Sequence, residues 1–148
     1  MRIPAVVIAL MVILPMAAVS KPLIVVTDGD TIWVGKEKIR IIGYDAPETY
    51  QARCEVERKA GQKATGYLRW LVANNKLTIR REPKKDRYKR TLARVYIKGR
   101  DLADIMIGEG LAVRYDCPRG RCPRRISWCD RVSPLSKKKR ASVPCLSD

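Results

Sequence analysis

Lys38-Ile39-Arg40-Ile41-Ile42-Gly43-Tyr44-Asp45-Ala46-Pro47 is the stretch that decides the fold. Its apolar residues Ile39, Ile41 and Ile42 predict a strand over 38–44, and Pro47 breaks regular structure beyond it. Upstream, residues 23–27 and 31–34 are short apolar, β-branched runs on either side of Asp28-Gly29-Asp30. They predict a hairpin that turns at the Asp-Gly pair or at Gly35-Lys36. Downstream of Glu55 the period changes: Val56, Ala60, Ala64, Leu68 and Leu71 recur at helical spacing up to Asn74-Asn75. Residues 77–81 and 92–97 predict a fourth and a fifth strand, the latter closed by Gly99. Asp101 caps a second helix through Leu102, Ile105 and Met106, which Gly110 ends, and 111–115 add a short apolar edge. A parallel layered sheet would need a helix between most strands. Five short strands with a helix after the third instead fit a small barrel of the OB type. The expected class is α+β, mainly β, with two to three helices.

The two ends differ from this centre. Arg2 precedes an uncharged apolar run over 3–18, and Ala18-Val19-Ser20 places small residues where a signal peptidase reads. The run is short for a membrane span, and Pro4 and Pro15 interrupt it. Residues 1–20 are therefore expected to be a signal peptide cleaved near Ser20, leaving an exported chain, periplasmic or secreted, with no membrane span; a retained anchor is the main alternative. Residues 21–116 form the expected domain. Residues 117–148 are a Cys- and Pro-rich basic tail with Pro118, Pro123, Pro134, Pro144 and the run Lys137-Lys138-Lys139-Arg140.

The whole chain has 148 residues, 31 Lys and Arg against 15 Asp and Glu, and a formal charge of +16. A field of that sign attracts nucleic acid, anionic lipid or acidic polysaccharide. Five cysteines, Cys54, Cys117, Cys122, Cys129 and Cys145, fit an oxidising compartment. The odd number leaves one over, and their pairing does not follow from sequence. A disulfide within the tail, or from Cys54 to it, would pin the tail to the body. Zinc is disfavoured, because no CxxC pair and no histidine is present.

The absence of histidine also constrains chemistry, since hydrolysis must proceed without the commonest acid–base group. What the chain offers instead are carboxylates and arginines. Asp30 follows a tight turn and Asp45 ends a strand. If the fold brings them together they suit a hard divalent cation such as Ca²⁺ or Mg²⁺. Taken singly, Asp28 and Asp30 are equally explained as turn formers. Arg40 lies among isoleucines, where a charge requires a partner, and a guanidinium can grip two phosphate oxygens at once. Arg90 follows the turn-like Asp86-Arg87-Tyr88, and Glu48 could orient or deprotonate a water.

Taken together, Asp28-Gly29-Asp30-Thr31, Arg40-Ile41-Ile42-Gly43-Tyr44, Asp45-Ala46-Pro47-Glu48-Thr49 and Asp86-Arg87-Tyr88 with Arg90 closely resemble the staphylococcal nuclease family. Order and spacing agree over about 23–115, and Gly110-Leu111-Ala112 matches as well. The resemblance implies that Asp30 and Asp45 are Ca²⁺ ligands, with the Ala46 carbonyl beside them and Asp28 as an outer acid. It implies Arg40 and Arg90 as holders of the scissile phosphate, and Glu48 as the group that directs water. Arg87, Tyr88 and, more loosely aligned, Tyr115 would contact the nucleotide. Two positions depart from the family. Lys89 stands where the pattern often has Gly, so a positive φ there would strain the turn. The third helix of well-known members gives way to the Cys- and Pro-rich tail.

The function so implied is an exported, monomeric, Ca²⁺-dependent nuclease acting on DNA, RNA or both with little sequence specificity. Two other functions fit the same charge. One is an OB-fold nucleic-acid binder that no longer cleaves, and the other is a cationic protein of the envelope or membrane surface.

Overall fold

A computed structural model describes residues 23–130. The expected signal peptide, the basic run at 137–140 and Cys145 lie outside these residues. Strand β1 (Ile24–Asp28) turns at Gly29-Asp30 into β2 (Thr31–Val34), which turns at Gly35-Lys36 into β3 (Glu37–Ile41). Both expected turns are therefore used, and each joins an antiparallel pair.

The run 38–44 is two strands rather than one. β3 ends at Ile41, and β4 (Gly43–Asp45) leaves the main sheet. The break falls at Ile42, whose backbone N–H donates to Ala93 O at 3.0 Å. Tyr44 and Asp45 thereby face a new partner, β8 (Val113–Tyr115), the short edge expected from 111–115. Helix α1 (Glu55–Asn74) follows, then β5 (Leu77–Lys85), β6 (Thr91–Ile97), the two-residue β7 (Arg100–Asp101) and helix α2 (Leu102–Gly108). β5 runs four residues past the expected Arg81. Beyond that point it carries no apolar alternation, but Lys85 still pairs with Thr91 across a bulge.

The main sheet has the order β1-β2-β3-β6-β5, with β7 on β6. β3 and β6 pair in parallel, with Ile39 opposite Thr91 and Arg40 opposite Leu92. This is the α+β, mainly β, OB-like architecture expected. The described residues contain two α-helices and a single 3₁₀ turn at Pro118–Gly120.

Alternation along the strands buries one face. In β6 Ala93, Val95 and Ile97 point inward, and Ile32, Ile39 and Ile41 meet them from β2 and β3. Helix α1 closes the core with Ala64, Leu68 and Leu71, and α2 with Leu102, Ala103 and Met106. Val56 was expected on the apolar face of α1 but is half exposed, because the buried stripe begins at Glu57 and Gly61 instead.

Cys54 is the N-cap of α1, its sulfur accepting from Glu57 N. It is also disulfide-bonded to Cys129, 75 residues away, and Cys117 is bonded to Cys122. The described part of the tail is thus tied to the body, and Trp128 is buried there. With Cys54 and Cys129 joined, their cluster with Glu57 offers no thiolate pair to a zinc ion.

Candidate active site

Three segments meet at one end of β3. They are the β1–β2 turn, the loop from Asp45 to Thr49, and the middle of α1. Two glycines permit the approach. A Cβ on Gly29 would lie 2.7 Å from the Ala46 Cβ, and one on Gly61 would lie 2.5 Å from the Glu48 carbonyl oxygen. Tyr44, fully buried, donates its hydroxyl to Gly29 O at 2.9 Å and pins the turn. Asp28 Oδ1 accepts from Gly29 N at 3.0 Å and from the Thr49 hydroxyl at 2.8 Å, and Thr65 of α1 lies within 3.3 Å. Asp28 thus ties the turn, the loop and the helix together.

Asp30 and Asp45 arrive from opposite sides of Arg40. All three are buried, at 4%, 2% and 7% relative exposure. Arg40 Nη1 pairs with Asp30 Oδ2, and its Nη2 lies 3.1 Å from Asp45 Oδ1. The Thr31 hydroxyl donates to the other Asp30 oxygen at 2.9 Å. Burial raises the Asp30 pKa above the usual carboxylate value, against the opposing pull of Arg40 and Thr31. Glu48 is also raised, first by burial and then by the negative charges of Asp30 and Asp28. Ala46 is also buried, directly after β4.

Arg90 lies just before β6, whose first residues pair with Ile39 and Arg40. Its backbone N–H and its Nε both donate to Asp86, at 2.9 and 2.7 Å, and Tyr88 N also donates to Asp86 at 2.9 Å. The Arg87 and Arg90 guanidinium carbons lie 4.7 and 5.3 Å from the centroid of the exposed Tyr88 ring. Among the described contacts Arg90 is held within its own turn and not by the acidic cluster. Lys89 has φ 60°, so the left-handed geometry that favours Gly is present at this position.

One site residue was not legible beforehand. Arg125, in the loop after β8, has Nη2 3.0 Å from Asp45 Oδ1 and Nη1 3.1 Å from Glu48 Oε1. Its guanidinium carbon also lies 5.9 Å from the Tyr115 ring centroid. The sequence signal was confined to Cys129, four residues on, and to the chance that Cys54 bonds the tail.

The cluster therefore holds four carboxylates, of Asp28, Asp30, Asp45 and Glu48, and two guanidinium groups. It carries a formal excess of negative charge inside a chain of +16. The donors are hard oxygens, which fit a divalent cation such as Ca²⁺ or Mg²⁺ and not a soft metal.

The family model described as "Staphylococcal nuclease homologue" matches residues 38–142. The thermonuclease of Staphylococcus hyicus is 32% identical over 119 residues, covering 76% of this chain and 70% of that protein. The thermonuclease of Staphylococcus intermedius is 37% identical over 94 residues, 59% of this chain and 54% of the relative. Endonuclease YncB of Bacillus subtilis is 34% identical over 91 residues, 57% and 43% respectively. The chain spans about half the length of these last two. The match begins at Lys38, at the head of the strand that presents Arg40, and runs through Asp45, Glu48 and Arg90. On that agreement the chain belongs to the staphylococcal nuclease homologue family.

Proposed function

We propose that the chain is a Ca²⁺-dependent nuclease that hydrolyses phosphodiester bonds of DNA, RNA or both with little sequence specificity. That it is a nuclease follows from its family; the ion, the residue roles and export are our own inference. The observation that carries the inference is the excess of buried carboxylate around Arg40. Asp30 and Asp45, sealed from water on a chain otherwise rich in cations, are stable as anions only with compensating charge. Arg40 and the part-exposed Arg125 supply two charges against the four carboxylates of the cluster, and a divalent ion would balance the rest. Asp30, Asp45 and the Ala46 carbonyl would hold the ion, with Asp28 behind them. When bound, it would polarise a phosphodiester oxygen.

The protein's own groups would do the rest. Arg40 is pre-oriented by two carboxylates, and one face of its fork can turn to a phosphate oxygen. Arg90 brings a second guanidinium from the loop before β6, and charge that builds on the phosphorus oxygens is stabilised by both. Glu48, with its raised pKa, is suited to orient a water and accept its proton. Arg87 and the exposed ring of Tyr88 offer a phosphate contact and a stacking face to the nucleotide, and Tyr115 offers a second ring. None of these groups reads a base edge, which is the basis for expecting low sequence specificity and steep dependence on salt. An apolar leader at 1–20 and two disulfides among the described residues support export. No described helix is long and apolar enough to cross a membrane.

Digestion of plasmid DNA and of RNA by the purified chain, in Ca²⁺, in Mg²⁺ and in EDTA, is the test. Cleavage is expected in Ca²⁺ and should vanish in EDTA. Cleavage undiminished in EDTA would overturn the metal assignment. A gel shift without cleavage in any metal would favour a binding protein.

A further inference from the structure

The roles proposed above leave Arg125 without one, yet it is the group that closes over the acidic cluster. Asp45 Oδ1 accepts from Arg40 Nη2 at 3.1 Å and from Arg125 Nη2 at 3.0 Å, so one oxygen serves two guanidinium groups. Arg125 Nη1 takes Glu48 Oε1 at 3.1 Å. A cavity of about 210 Å³ opens at this point, lined by Asp45, Ala46 and Glu48 and by Arg125, Ile126 and Trp128 among others. Arg125 does not belong to the barrel strands. It sits on a loop anchored by buried Trp128 and by the Cys129–Cys54 disulfide at the head of α1. The anchoring keeps the guanidinium beside the two acids at high effective concentration, as a linked ligand is kept beside its site. Its side chain retains 40% exposure and so has room to swing away.

We propose that Arg125 is a built-in counter-cation of the metal site. It neutralises Asp45 and Glu48 in the metal-free protein and yields Asp45 to the divalent cation, so the tethered loop sets how tightly the metal is held. This inference rests on the metal reading above. It concerns competition for a carboxylate and not a further step of the reaction.

Calorimetric titration of Ca²⁺ alone into the folded, oxidised chain and into Arg125→Ala tests it, with circular dichroism confirming the fold of each. Two ion pairs of the part-exposed Arg125 side chain are removed, so Arg125→Ala should bind Ca²⁺ about three- to tenfold more tightly. Arg125→Lys, which keeps the charge but not the fork, should fall between the two. The double change Cys54→Ser and Cys129→Ser frees the loop and keeps a helix N-cap, since Ser caps well. It should tighten Ca²⁺ binding in the wild-type background and leave the Arg125→Ala affinity unchanged. Equal or weaker Ca²⁺ binding by Arg125→Ala would overturn the inference alone. No binding by either protein would overturn the metal reading and this inference with it.

Discussion

Arg40 lies on β3 and Arg90 just before β6, the strand paired with β3, yet they are held by opposite means. Arg40 is fixed by the framework. Its strand register sets its height, the carboxylates of Asp30 in the β1–β2 turn and Asp45 at the end of β4 take its fork, and burial excludes water from the whole group. Arg90 is fixed locally. Asp86, four residues back, takes its Nε and its backbone N–H, and the turn between them forces Lys89 into left-handed backbone. A framework arginine cannot be removed without disturbing the fold. A loop arginine can be changed with the fold left alone, which separates its chemistry from its structural role.

The largest effect should come from Arg40→Ala. It leaves Asp30 without its guanidinium partner and Asp45 with Arg125 alone, and breaking a buried pair typically costs about 3–5 kcal/mol. Thermal unfolding should therefore show a large fall in Tm, together with loss of cleavage. If Tm were unchanged, the buried triad would not be holding the β1–β2 turn and β4 together, and the contrast with Arg90 would fail.

A smaller effect of opposite sign should come from Lys89→Gly. A non-glycine residue in left-handed backbone costs about 1 kcal/mol or somewhat more, offset in part by the greater freedom of glycine in the unfolded chain. We expect a gain of about 0.5 kcal/mol, read as a rise in Tm of one to a few degrees, with cleavage retained. A fall in Tm would mean that the Lys89 side chain contributes more than its backbone strain removes.

How far all this was legible follows the same division. Strand and helix periods gave the architecture, because alternation at Ile39 and Ile41 and the helical spacing of Ala64, Leu68 and Leu71 are imposed by the core they fill. The acids and arginines of the site lie in short motifs whose spacing the backbone preserves, and Asp30, Arg40 and Asp45 do meet. What stayed hidden depends on contacts between distant parts of the chain. The break at Ile42 reflects β4 choosing β8 as partner, which no local pattern encodes. The run of β5 past Arg81 is set by cross-strand pairing with Thr91, since residues 82–85 are exposed and show no apolar alternation. Arg125 depends on a disulfide spanning 75 residues, and cysteine spacing does not reveal its own connectivity. Tyr115 and Arg90 are brought near the cluster's elements, but their contacts are with Arg125 and Asp86.

In the proposed centre, arginines that grip a phosphate and an acidic metal site act together. Arg90→Lys tests it most directly, because the change keeps charge, leaves the Arg40 triad untouched and removes only the planar fork. Turnover on DNA at saturating Ca²⁺ should fall about a hundredfold or more, with Tm and Ca²⁺ affinity unchanged. Turnover within about threefold of wild type would rule out Arg90 as the phosphate clamp, since a point charge would then serve as well as the guanidinium.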